Sequence, residues 1–308
     1  MRLAADHVTV TVPATAGNLG PGFDALGMAL GVTDQVEVWA LGSPRVEIEI
    51  EGEGADTLPR DESHLIVRAI RAASDAVGLP HTGLRIVARN SIPHGRGLGS
   101  SAAAVVAGIA AVRGLMAEPE ALDNETMLRL ATEFEGHPDN AAPAIWGGAT
   151  VAWLDHEGAH AVPLEVAKGI ETAVLIPNAV LATKQARAAL PAQVPHRDAA
   201  FNVARASLLV AALAGHPERL WAATEDRLHQ GYRASAMPAA AAMIAYLRER
   251  GLPAVVSGAG PSVLVIGTGL AAGGLTSGSL GWAEGIGEES WRCVSTSLPV
   301  LGVAVEVG

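Results

Sequence analysis

The order of apolar and polar residues along this chain predicts strands and helices that are interspersed from end to end. Alternation with a period of two predicts strands, and apolar residues three and four positions apart predict helices. The predicted strands cover residues 8–12, 35–41, 46–51, 84–88, 149–154, 173–176, 254–256, 263–266 and 303–307. The predicted helices cover residues 64–77, 102–115, 120–135, 181–187, 198–213, 218–228 and 239–250. Because several strands follow one another directly, we expect an α+β fold with largely antiparallel sheets and not a doubly wound parallel sheet.

Two domains are predicted, with their boundary inside a stretch of changed composition at residues 155–168. A chain of 308 residues is long enough for two ordinary domains that each have a core. We therefore expect an N-terminal domain over residues 1–165 and a C-terminal domain over residues 166–308. The stretch 269–287, which is rich in Gly, Ser and Ala, is predicted to be a loop.

Composition and charge exclude several classes of protein. Hydrophobic residues make up 49% of the chain and charged residues 17%, which is typical of a globular protein. The net charge is −11, and Lys168 and Lys184 are the only lysines, so no nucleic-acid-binding surface is expected. The apolar runs are too short for a membrane span, no signal peptide is evident, and the single cysteine, Cys293, fits a reducing compartment. We expect a cytoplasmic protein that has no membrane partner.

The densest cluster of glycine lies between a predicted strand and a predicted helix, in the sequence P-H-G-R-G-L-G-S-S-A-A-A at residues 93–104. Gly95, Gly97 and Gly99 allow positive φ and leave space for a ligand beside the backbone. Ser100 or Ser101 can cap the helix predicted from Ala102, whose free N–H groups and partial positive charge attract phosphate. The serine hydroxyls can also reach a Mg²⁺ ion that bridges phosphates. The alternative is a tight turn before a core helix.

Two common nucleotide-binding motifs fit this segment poorly. The lysine of the Walker A motif G-x-x-x-x-G-K-[ST] is missing. Read from Gly95, the dinucleotide motif G-x-G-x-x-G has Ser100 in place of its third glycine. Read from Gly97 it has Ala102 there, which the looser form of the motif accepts. That motif also requires a βαβ unit, which the predicted order of elements does not favour.

Asn18 and Asp24 are the polar candidates in a loop rich in Gly and Pro that follows the first predicted strand. Such a loop is often a plain connection between strands. Glycines between the two residues, however, permit unusual turns that would aim both side chains at one point. The loop therefore either connects two strands or presents Asn18 and Asp24 to a ligand.

Acidic residues near the end of the helix predicted over 120–135 are a second set of candidates. Glu133 and Glu135 fall in its last turn, where a bound cation would offset their unfavourable interaction with the helix dipole. The alternative is that both are solvated. His137 next to Asp139 suggests a transition-metal site, but no second His or Cys stands at ligand spacing, so such a site is not expected.

Three motifs together resemble those of the GHMP small-molecule kinases, a family that includes galactokinase and mevalonate kinase. The segment at residues 93–104 fits the family's phosphate loop, P-x-x-x-G-L-G-S-S-A-A. Residues 10–30 resemble the first motif and residues 256–265 resemble the third, with S-G-A-G-P-S at 257–262. In the first motif the family residues are Pro13, Asn18, Gly22, Phe23 and Asp24. Within the family, H-P-D-N-A-A-P-A at 137–144 and L-A-T-K-Q-A-R at 181–187 look most like members that phosphorylate L-homoserine.

The resemblance implies a two-domain GHMP kinase fold, in which a ferredoxin-like C-terminal domain closes over an N-terminal domain like domain 2 of ribosomal protein S5. ATP and Mg²⁺ would bind in the cleft, and a primary alcohol would attack the γ-phosphoryl group of ATP. Mg²⁺ would be held by Ser101, or Ser100, and by Glu133, because T-E-F-E-G at 132–136 resembles G-E-L-E-G of other members; Glu135 is the alternative. The residues implied to bind the nucleotide are Pro93, His94, Gly95, Arg96, Gly97, Leu98, Gly99, Ser100, Ser101, Ala102 and Ala103.

The same resemblance implies an acceptor site. Its residues would be Asn18, Asp24, Asp139, Asn140, Thr183, Arg187 and Arg233. An arginine suits a carboxylate and Asp24 suits an ammonium group, so we expect a zwitterionic acceptor, L-homoserine, and not mevalonate or a sugar. Asp139 and Asn140 are the catalytic candidates, with Asp139 as general base by analogy with mevalonate kinase. A homodimer is expected because dimers are common among relatives.

Two alternatives to this function stay open at this point. One is a GHMP kinase that phosphorylates another small alcohol. The other is a non-catalytic ligand sensor on the same fold, although the serines and Glu133 that would hold a metal are intact.

Overall fold

Two β-sheets and the helices packed against them form the structure, a computed structural model that describes residues 1–276, 278–279, 283, 285–298 and 300–308. The strands are β1 (His7–Ala16), β2 (Leu26–Leu41), β3 (Val46–Gly52), β4 (Gly83–Asn90), β5 (Ala149–Asp155), β6 (Gly158–Leu164), β7 (Ile170–Pro177), β8 (Ala254–Val256), β9 (Val263–Thr268), β10 (Gly278–Ser279), β11 (Trp291–Ser297) and β12 (Ala304–Val307). The helices are α1 (Leu65–Ala76), α2 (Ser100–Leu115), α3 (Asn124–Glu135), α4 (Ala141–Trp146), α5 (Thr183–Ala188), α6 (His196–Gly215), α7 (Leu220–Ala223), α8 (Gln230–Arg233) and α9 (Pro238–Glu249).

The first sheet has the strand order β12-β1-β2-β4-β3, and β5 with β6 extends it from the start of β2. Its pairs are antiparallel except for β3 with β4. Along β1, buried and half-buried residues alternate up to Val12, and the strand is then buried continuously to Ala16. The strand therefore enters the core immediately before the loop that carries Asn18 and Asp24.

Helix α2 is the central helix of this first unit. Its Ala- and Val-rich sequence is buried along nearly its whole length, against α1 and β1. A Cβ atom on Gly108 would lie 2.7 Å from the Cβ of Ala69, so the glycine lets α1 approach closely. This packing on all sides fixes the N-terminal end of α2, at Ser100, relative to the sheet.

The second sheet has the strand order β10-β11-β7-β9-β8 and is antiparallel throughout. Met243 and Leu247 of α9 are buried in the apolar cluster on this sheet. Strands β8 and β9 form a hairpin whose connection is the glycine-rich segment 257–262. The Ser257 N–H donates to the Ser262 carbonyl at 2.9 Å, which closes this turn at the edge of the sheet.

The predicted α+β class is confirmed, and most predicted elements are present with bounds shifted by a few residues. The elements that were not predicted are β6, β10, β11, α4 and α8, and β10 lies within the stretch predicted to be a loop. The helix predicted over 218–228 is wrong beyond Ala223. Its continuation is broken because the Asp226 carboxylate accepts hydrogen bonds from the N–H groups of Leu228, His229 and Gln230, which start a new turn.

The domain boundary predicted near residue 165 falls between β6 and β7, which belong to different sheets. One segment of the predicted C-terminal domain differs, because β12 pairs with β1 in the first sheet. The alternation at residues 303–307 predicts a strand but cannot identify its partner. Within the glycine-rich stretch 269–287, residues 277, 280–282 and 284 lie outside the described residues, and β10 occupies two of the others.

Among the residues that the structure describes, α6 is the one helix that is long and apolar enough to cross a membrane. Only 22% of its apolar window is buried. Its polar side chains bond to neighbouring segments: Asn202 donates to the Pro21 carbonyl at 2.9 Å, and Arg205 pairs with Glu225 at 2.8 Å. Helix α6 therefore supports the loop that follows β1.

Candidate active site

The loop between β4 and α2 has a backbone that glycine makes possible. Gly95, Gly97 and Gly99 have φ values of 64°, 72° and 66°, a region that other residues rarely adopt. A Cβ atom on Gly97 would lie 2.2 Å from the Ser257 carbonyl oxygen, and one on Gly99 would lie 2.0 Å from the Thr15 hydroxyl oxygen. The glycines therefore also allow this loop to touch the segments around it.

Four successive carbonyl groups of the same loop accept hydrogen bonds from other segments. The donors to the carbonyls of Gly95, Arg96, Gly97 and Leu98 are the Leu181 N–H, the Ser262 N–H, the Ser257 hydroxyl and the Thr15 N–H, at 2.8, 3.3, 2.8 and 3.0 Å. Within the described part of the chain, no group accepts from the N–H groups of residues 95–101. The loop therefore offers consecutive N–H donors at the start of α2, which is the arrangement that binds phosphate.

Several predicted nucleotide-binding residues contribute backbone or packing and no free side chain. The Arg96 guanidinium donates to the carbonyls of Pro177 and Asn178, both at 3.0 Å, and ties the loop to the end of β7. The predicted role of Arg96 is therefore limited to its backbone. The residues with buried side chains are Pro93, Leu98, Ala102 and Ala103.

A cavity of about 260 Å³, here called the apolar cavity, lies on one side of Ser100 and Ser101. Its walls include Val12, Val36, Leu58, Pro59, Ile66, His94 and Ala104. Burial lowers the pKa of His94. A cavity of this size with mostly apolar walls suits a flat ring system such as a nucleobase.

Two buried polar groups also line the apolar cavity. The Asp34 carboxylate accepts hydrogen bonds from the N–H groups of Ser91 and Ile92 at 2.6 and 2.9 Å. Burial nevertheless raises its pKa to about 6. His64 Nδ1 accepts from the Ile66 N–H at 3.2 Å, so its proton is on Nε2, which is buried without a partner among the described groups. Burial lowers the pKa of His64, so the neutral ring offers one donor to a ligand.

Ser101 forms a hydrogen bond with Glu135 and not with Glu133. The Ser101 hydroxyl donates to Glu135 Oε1 at 2.5 Å, whereas Glu133 is exposed. Residues 133 and 135 lie on different faces of α3, and Glu135 continues the face that buries Leu128 and Ala131. The geometry therefore favours Glu135 over the predicted Glu133 as a metal ligand. A hydroxyl and a carboxylate beside a phosphate-binding loop are oxygen donors that suit Mg²⁺.

A second cavity of about 150 Å³, here called the polar cavity, lies on the other side of the same two serines. One wall is the phosphate loop. The side chains that line it elsewhere belong to Asn18, Glu135, His137, Asn140, Thr183, Arg187 and Arg233. The structure thus brings together five residues of the predicted acceptor site from segments far apart in the chain. Asp24 reaches the same group of residues through Arg187.

The loop after β1 holds Asn18 and Asp24 in the left-handed region, each with a φ of 53°. Both residue types tolerate this conformation better than others because their short side chains bond locally. Asn18 Oδ1 accepts from the Asp24 N–H at 2.9 Å, and Asn18 Nδ2 donates to the Gly258 carbonyl at 3.3 Å. The interpretation that this loop aims the two side chains is consistent with this geometry.

Asp24 and Arg187 form an ion pair at the polar cavity. Two guanidinium nitrogens of Arg187 donate to the two carboxylate oxygens of Asp24, at 2.6 and 3.2 Å. The hydrogen bonds and the charge of Asp24 outweigh burial and raise the pKa of Arg187. The pair brings one anionic and one cationic group into contact, and a zwitterionic ligand could bind to both.

Asp139 is fully buried and does not itself line the polar cavity. Its Oδ2 accepts from the Asn18 N–H at 2.9 Å, and its Oδ1 lies 2.6 Å from His137 Nδ1. Burial lowers the pKa of His137, but the hydrogen bond and charge of Asp139 outweigh burial, so the pKa is raised. His137, which lines the cavity, is therefore the group through which Asp139 reaches it.

Asn140 joins the loops on either side of the cleft. Its Oδ1 accepts from the Thr15 hydroxyl at 3.0 Å and from the Gly17 N–H at 3.1 Å. The same oxygen lies near Gly99 of the phosphate loop, 3.2 Å from where a Cβ atom would stand. Asn140 therefore fixes the end of β1 beside the phosphate loop.

Arg233 is the largest fully buried side chain in the described part of the protein. The guanidinium carbons of Arg233 and Arg187 lie 5.4 and 5.5 Å from the centre of the Phe23 ring. Such cation–π contacts stabilise a guanidinium that has lost water. Phe23 thus orients both arginines toward the polar cavity.

Asp24, His137 and Asp139 also lie close enough together to suggest a metal site, with one ligand atom of each within 4.8 Å of the others. Their partners argue against it. Asp24 is paired with Arg187, and Asp139 with His137 and the Asn18 N–H. A cation there would meet the positive charge of Arg187, so the transition-metal interpretation is again not favoured.

Sequence reasoning did not identify several of these groups as part of a site. His64 and Asp34 of the apolar cavity lie in a predicted helix and near a predicted strand, where a buried polar residue leaves no signal in periodicity. His137 lies in a segment that resembles the family, but its pairing with Asp139 depends on the fold. His229, which contacts Arg233, comes directly after the helix that was wrongly predicted to continue to residue 228.

Comparison with known proteins identifies the family. Residues 64–148 match the model of the GHMP kinases N terminal domain. The chain is 49% identical to a homoserine kinase from Clavibacter michiganensis subsp. michiganensis over 98% of this chain and 94% of that one. It is 54% identical to a homoserine kinase from Streptomyces coelicolor over 84% of each chain. The crystal structure of homoserine kinase from Cytophaga hutchinsonii matches with a TM-score of 0.84 and 25% identity over 98% of both chains.

These findings confirm the resemblance to GHMP kinases and the two-domain α+β fold that it implies. They extend over nearly the whole chain, so they cover both sheets and all three motifs. The chain therefore belongs to the homoserine kinase family of the GHMP kinases.

Proposed function

We propose that this protein transfers the γ-phosphoryl group of ATP to the hydroxyl group of L-homoserine, giving O-phospho-L-homoserine for threonine biosynthesis. The observation that carries this proposal is that Ser100 and Ser101 line both the apolar cavity and the polar cavity. A phosphate-binding loop stands on one side of the polar cavity, and paired anionic and cationic side chains stand on the other. The identity of the acceptor, L-homoserine, is taken from the names of the relatives.

On the nucleotide side, the base is proposed to occupy the apolar cavity and the phosphates to bind the N–H groups of residues 95–101. His64 Nε2–H would donate to a ring nitrogen of the base. Ser101 and Glu135 would hold Mg²⁺, with Glu135 in the place first predicted for Glu133. Bound there, Mg²⁺ would offset the negative charge of the phosphate groups.

On the acceptor side, the zwitterionic end of L-homoserine is proposed to bind between Asp24 and the two arginines. Its ammonium group would bind Asp24, and its carboxylate would bind Arg187 and Arg233. Asn18 and Thr183 would complete this wall. Since mevalonate has no amine and a sugar has neither group, they would leave charged side chains unpaired.

The transfer forms a bond between the acceptor oxygen and the γ-phosphorus and breaks the bond from that phosphorus to the β,γ-bridging oxygen. His137 is proposed to accept the hydroxyl proton, and Asp139 to orient and stabilise the resulting cation. This modifies the expectation for Asp139, whose buried carboxylate would act through His137. Asn140 would keep the acceptor loop and the phosphate loop at a fixed distance, which is most of what phosphoryl transfer requires.

The test is release of ADP from Mg-ATP by the purified protein with L-homoserine, mevalonate, galactose, shikimate or L-threonine as acceptor. Release with L-homoserine alone is the expected result. Release with another of these alcohols would retain the phosphate loop and contradict the acceptor assignment. If folded protein binds ATP but releases ADP with none of them, the sensor alternative is favoured.

Two further properties stay predictions. A homodimer is expected from the family, and light scattering after size-exclusion chromatography tests it. The cytoplasm is expected because ATP and a free amino acid are both available there, and fractionation of the source cells tests this location.

A further inference from the structure

His229 is a fully buried histidine to which the proposed reaction has so far given no role. It lies immediately before α8, whose last residue is Arg233. The Asp226 carboxylate accepts from the N–H groups of His229 and Gln230 at 3.1 and 2.8 Å, which fixes the start of this turn. The four-residue spacing then places the His229 ring and the Arg233 side chain on the same face.

The contacts of His229 define its tautomer. Its Nε2 lies 2.6 Å from the carbonyl oxygen of Gly20, which can only accept a hydrogen bond. Nε2 therefore carries a proton, and in the neutral ring Nδ1 is an acceptor. Arg233 Nη1, which can only donate, lies 3.3 Å from that Nδ1.

The surroundings of His229 favour this neutral form. The pKa of His229 is lowered, chiefly by burial and also by the charge of Arg233. The Asp226 carboxylate and the Gly20 carbonyl raise this pKa but do not outweigh burial. A protonated ring would place an N–H donor and a positive charge against the guanidinium. The contact with Arg233 therefore requires a neutral His229.

Arg233 has few other acceptors for a buried guanidinium. Nη1 also donates to the Gly258 carbonyl at 3.4 Å, and Nε is buried without a partner among the described groups. A guanidinium has five N–H donors, so most of its capacity remains for a ligand in the polar cavity. Its orientation then depends on Nδ1 of His229, the Gly258 carbonyl and the face of Phe23.

His229 also links Arg233 to the loop that follows β1. Gly20 belongs to the same loop as Asn18 and Asp24, and the His229 ring packs on Phe23 of that loop with 5.3 Å between ring centres. One imidazole thus bonds both to the loop that carries the anionic group and to the buried arginine.

We propose that His229 is a positioning residue for this reaction: its neutral ring holds one edge of the Arg233 guanidinium so that the remaining N–H groups face the carboxylate of the acceptor. This role rests on the proposed function, since it requires an acceptor that has a carboxylate. His229 itself does not contact the reacting atoms.

Two substitutions separate this role from a purely structural one. In His229→Asn, the amide oxygen stands near the position of Nδ1, so the acceptor for Arg233 is kept and the donor to Gly20 is lost. In His229→Gln, the amide nitrogen stands near the position of Nε2, so the donor to Gly20 is kept and the acceptor for Arg233 is lost. His156→Gln, at a highly exposed site in the turn after β5, is the matched control.

Steady-state kinetics with L-homoserine and with ATP, together with thermal unfolding, are measured for all four proteins. We expect His229→Gln to raise the KM for L-homoserine about 10- to 100-fold, the usual effect of a lost hydrogen bond to a charged group, with the KM for ATP unchanged. His229→Asn should stay within about threefold of wild type in both constants, even if it melts at a lower temperature.

The opposite pattern, equal KM increases in both variants, or no increase in His229→Gln would each overturn the proposal. If His229→Asn does not fold, His229→Gln still decides, since an unchanged KM for L-homoserine contradicts the role. Wild-type protein that releases no ADP with L-homoserine would instead contradict the proposed function. The two failures are thus distinguishable in one experiment.

Discussion

The two walls of the polar cavity are built from different parts of the protein. The phosphate-loop wall is backbone, held by positive φ at three glycines and by four carbonyl groups that bond elsewhere. The opposite wall is made of side chains, chiefly Arg187, Arg233 and His137, and Asp24 is paired with Arg187. A backbone wall recognises what all nucleoside triphosphates share, whereas a side-chain wall recognises the charges of one small molecule.

This difference indicates how each wall should respond to mutation. The backbone wall depends on close contact, so a single added carbon atom disrupts its geometry. The side-chain wall depends on charges and hydrogen bonds. Substitutions there should therefore have graded effects on the kinetics, and these effects should be specific to one substrate. The following substitutions test that contrast, beginning with the largest expected effect.

Gly97→Ala should disrupt the geometry of the phosphate-loop wall. The new Cβ atom would lie 2.2 Å from the Ser257 carbonyl oxygen, and the residue has a φ of 72°. We expect ATP turnover to fall more than about 10³-fold and the free energy of unfolding to decrease by roughly 3 kcal/mol. Nucleotide titration and thermal unfolding measure both. Gly215→Ala, where a Cβ atom meets nothing within 4 Å, is the control. A normal KM for ATP in Gly97→Ala would contradict the contrast.

Arg187→Ala should damage the side-chain wall alone. Its bidentate pair with Asp24 is lost, together with one proposed ligand of the acceptor carboxylate. We expect the KM for L-homoserine to rise about 10²- to 10³-fold while the KM for ATP stays unchanged. Asp24→Asn breaks the same pair. The KM for L-homoserine should therefore rise less in the double variant than the product of the two single increases predicts. Equal effects on both substrates would show that the walls are not independent.

Glu135→Gln and Glu133→Gln compare two carboxylates on different faces of α3. Only Glu135 contacts Ser101, so only its loss should raise the Mg²⁺ concentration needed for half-maximal rate. We expect kcat to fall about 100-fold in Glu135→Gln and to change less than about twofold in Glu133→Gln. Titration of activity with Mg²⁺ measures this, and the reverse order would restore Glu133 as the ligand.

His137→Gln should alter the pH dependence of the side-chain wall. The proposed proton acceptor is neutral His137, so wild-type kcat should fall as the pH decreases through its pKa. That pKa lies above the ordinary value of 6.5, because the hydrogen bond and charge of Asp139 outweigh burial. The variant should lose this acidic limb and have a kcat about 10-fold lower at pH 8. An acidic limb that persists in His137→Gln would assign it to another group.

Asp34→Asn should have the smallest effect on the reaction, because its main effect is on stability near the nucleotide side. Burial raises the pKa of Asp34 from 3.8 to about 6, so between these values the folded protein binds more protons than the unfolded one. Its contribution to stability therefore decreases as the pH rises through this window and stays lost above it. The variant should gain at most roughly 3 kcal/mol over wild type between pH 4 and pH 7. A difference in Tm that does not grow with pH would contradict this.

The two walls also differ in how far they could be predicted. The glycines at residues 95–99 are close in sequence, so a phosphate loop could be suggested from one segment, with a tight turn as the alternative until the family resemblance is considered. Asp24 and Arg187 stand 163 residues apart, and only their likeness to family motifs indicated a common site. No periodicity shows that Phe23 contacts two arginines, because such contacts depend on the packing of several elements.

Some of the missed information was nevertheless present in the sequence. On α3, Leu128 and Ala131 are buried, and the helical period carries that face to Glu135 and not to Glu133. The partner of β12, in contrast, could not be inferred from the sequence, because alternation along a strand is the same whichever strand it pairs with. Domain membership at residues 304–307 could therefore be found only from the structure.

The pairing of β12 with β1 has a consequence for the order of synthesis. Strand β1 leads into the loop that holds Asn18 and Asp24, yet one of its edges stays open until residues 304–307 have been made. An unpaired strand edge is a known hazard for aggregation while a chain is being made. The strand that leads into the proposed acceptor loop therefore completes its pairing only after residues 304–307 have left the ribosome.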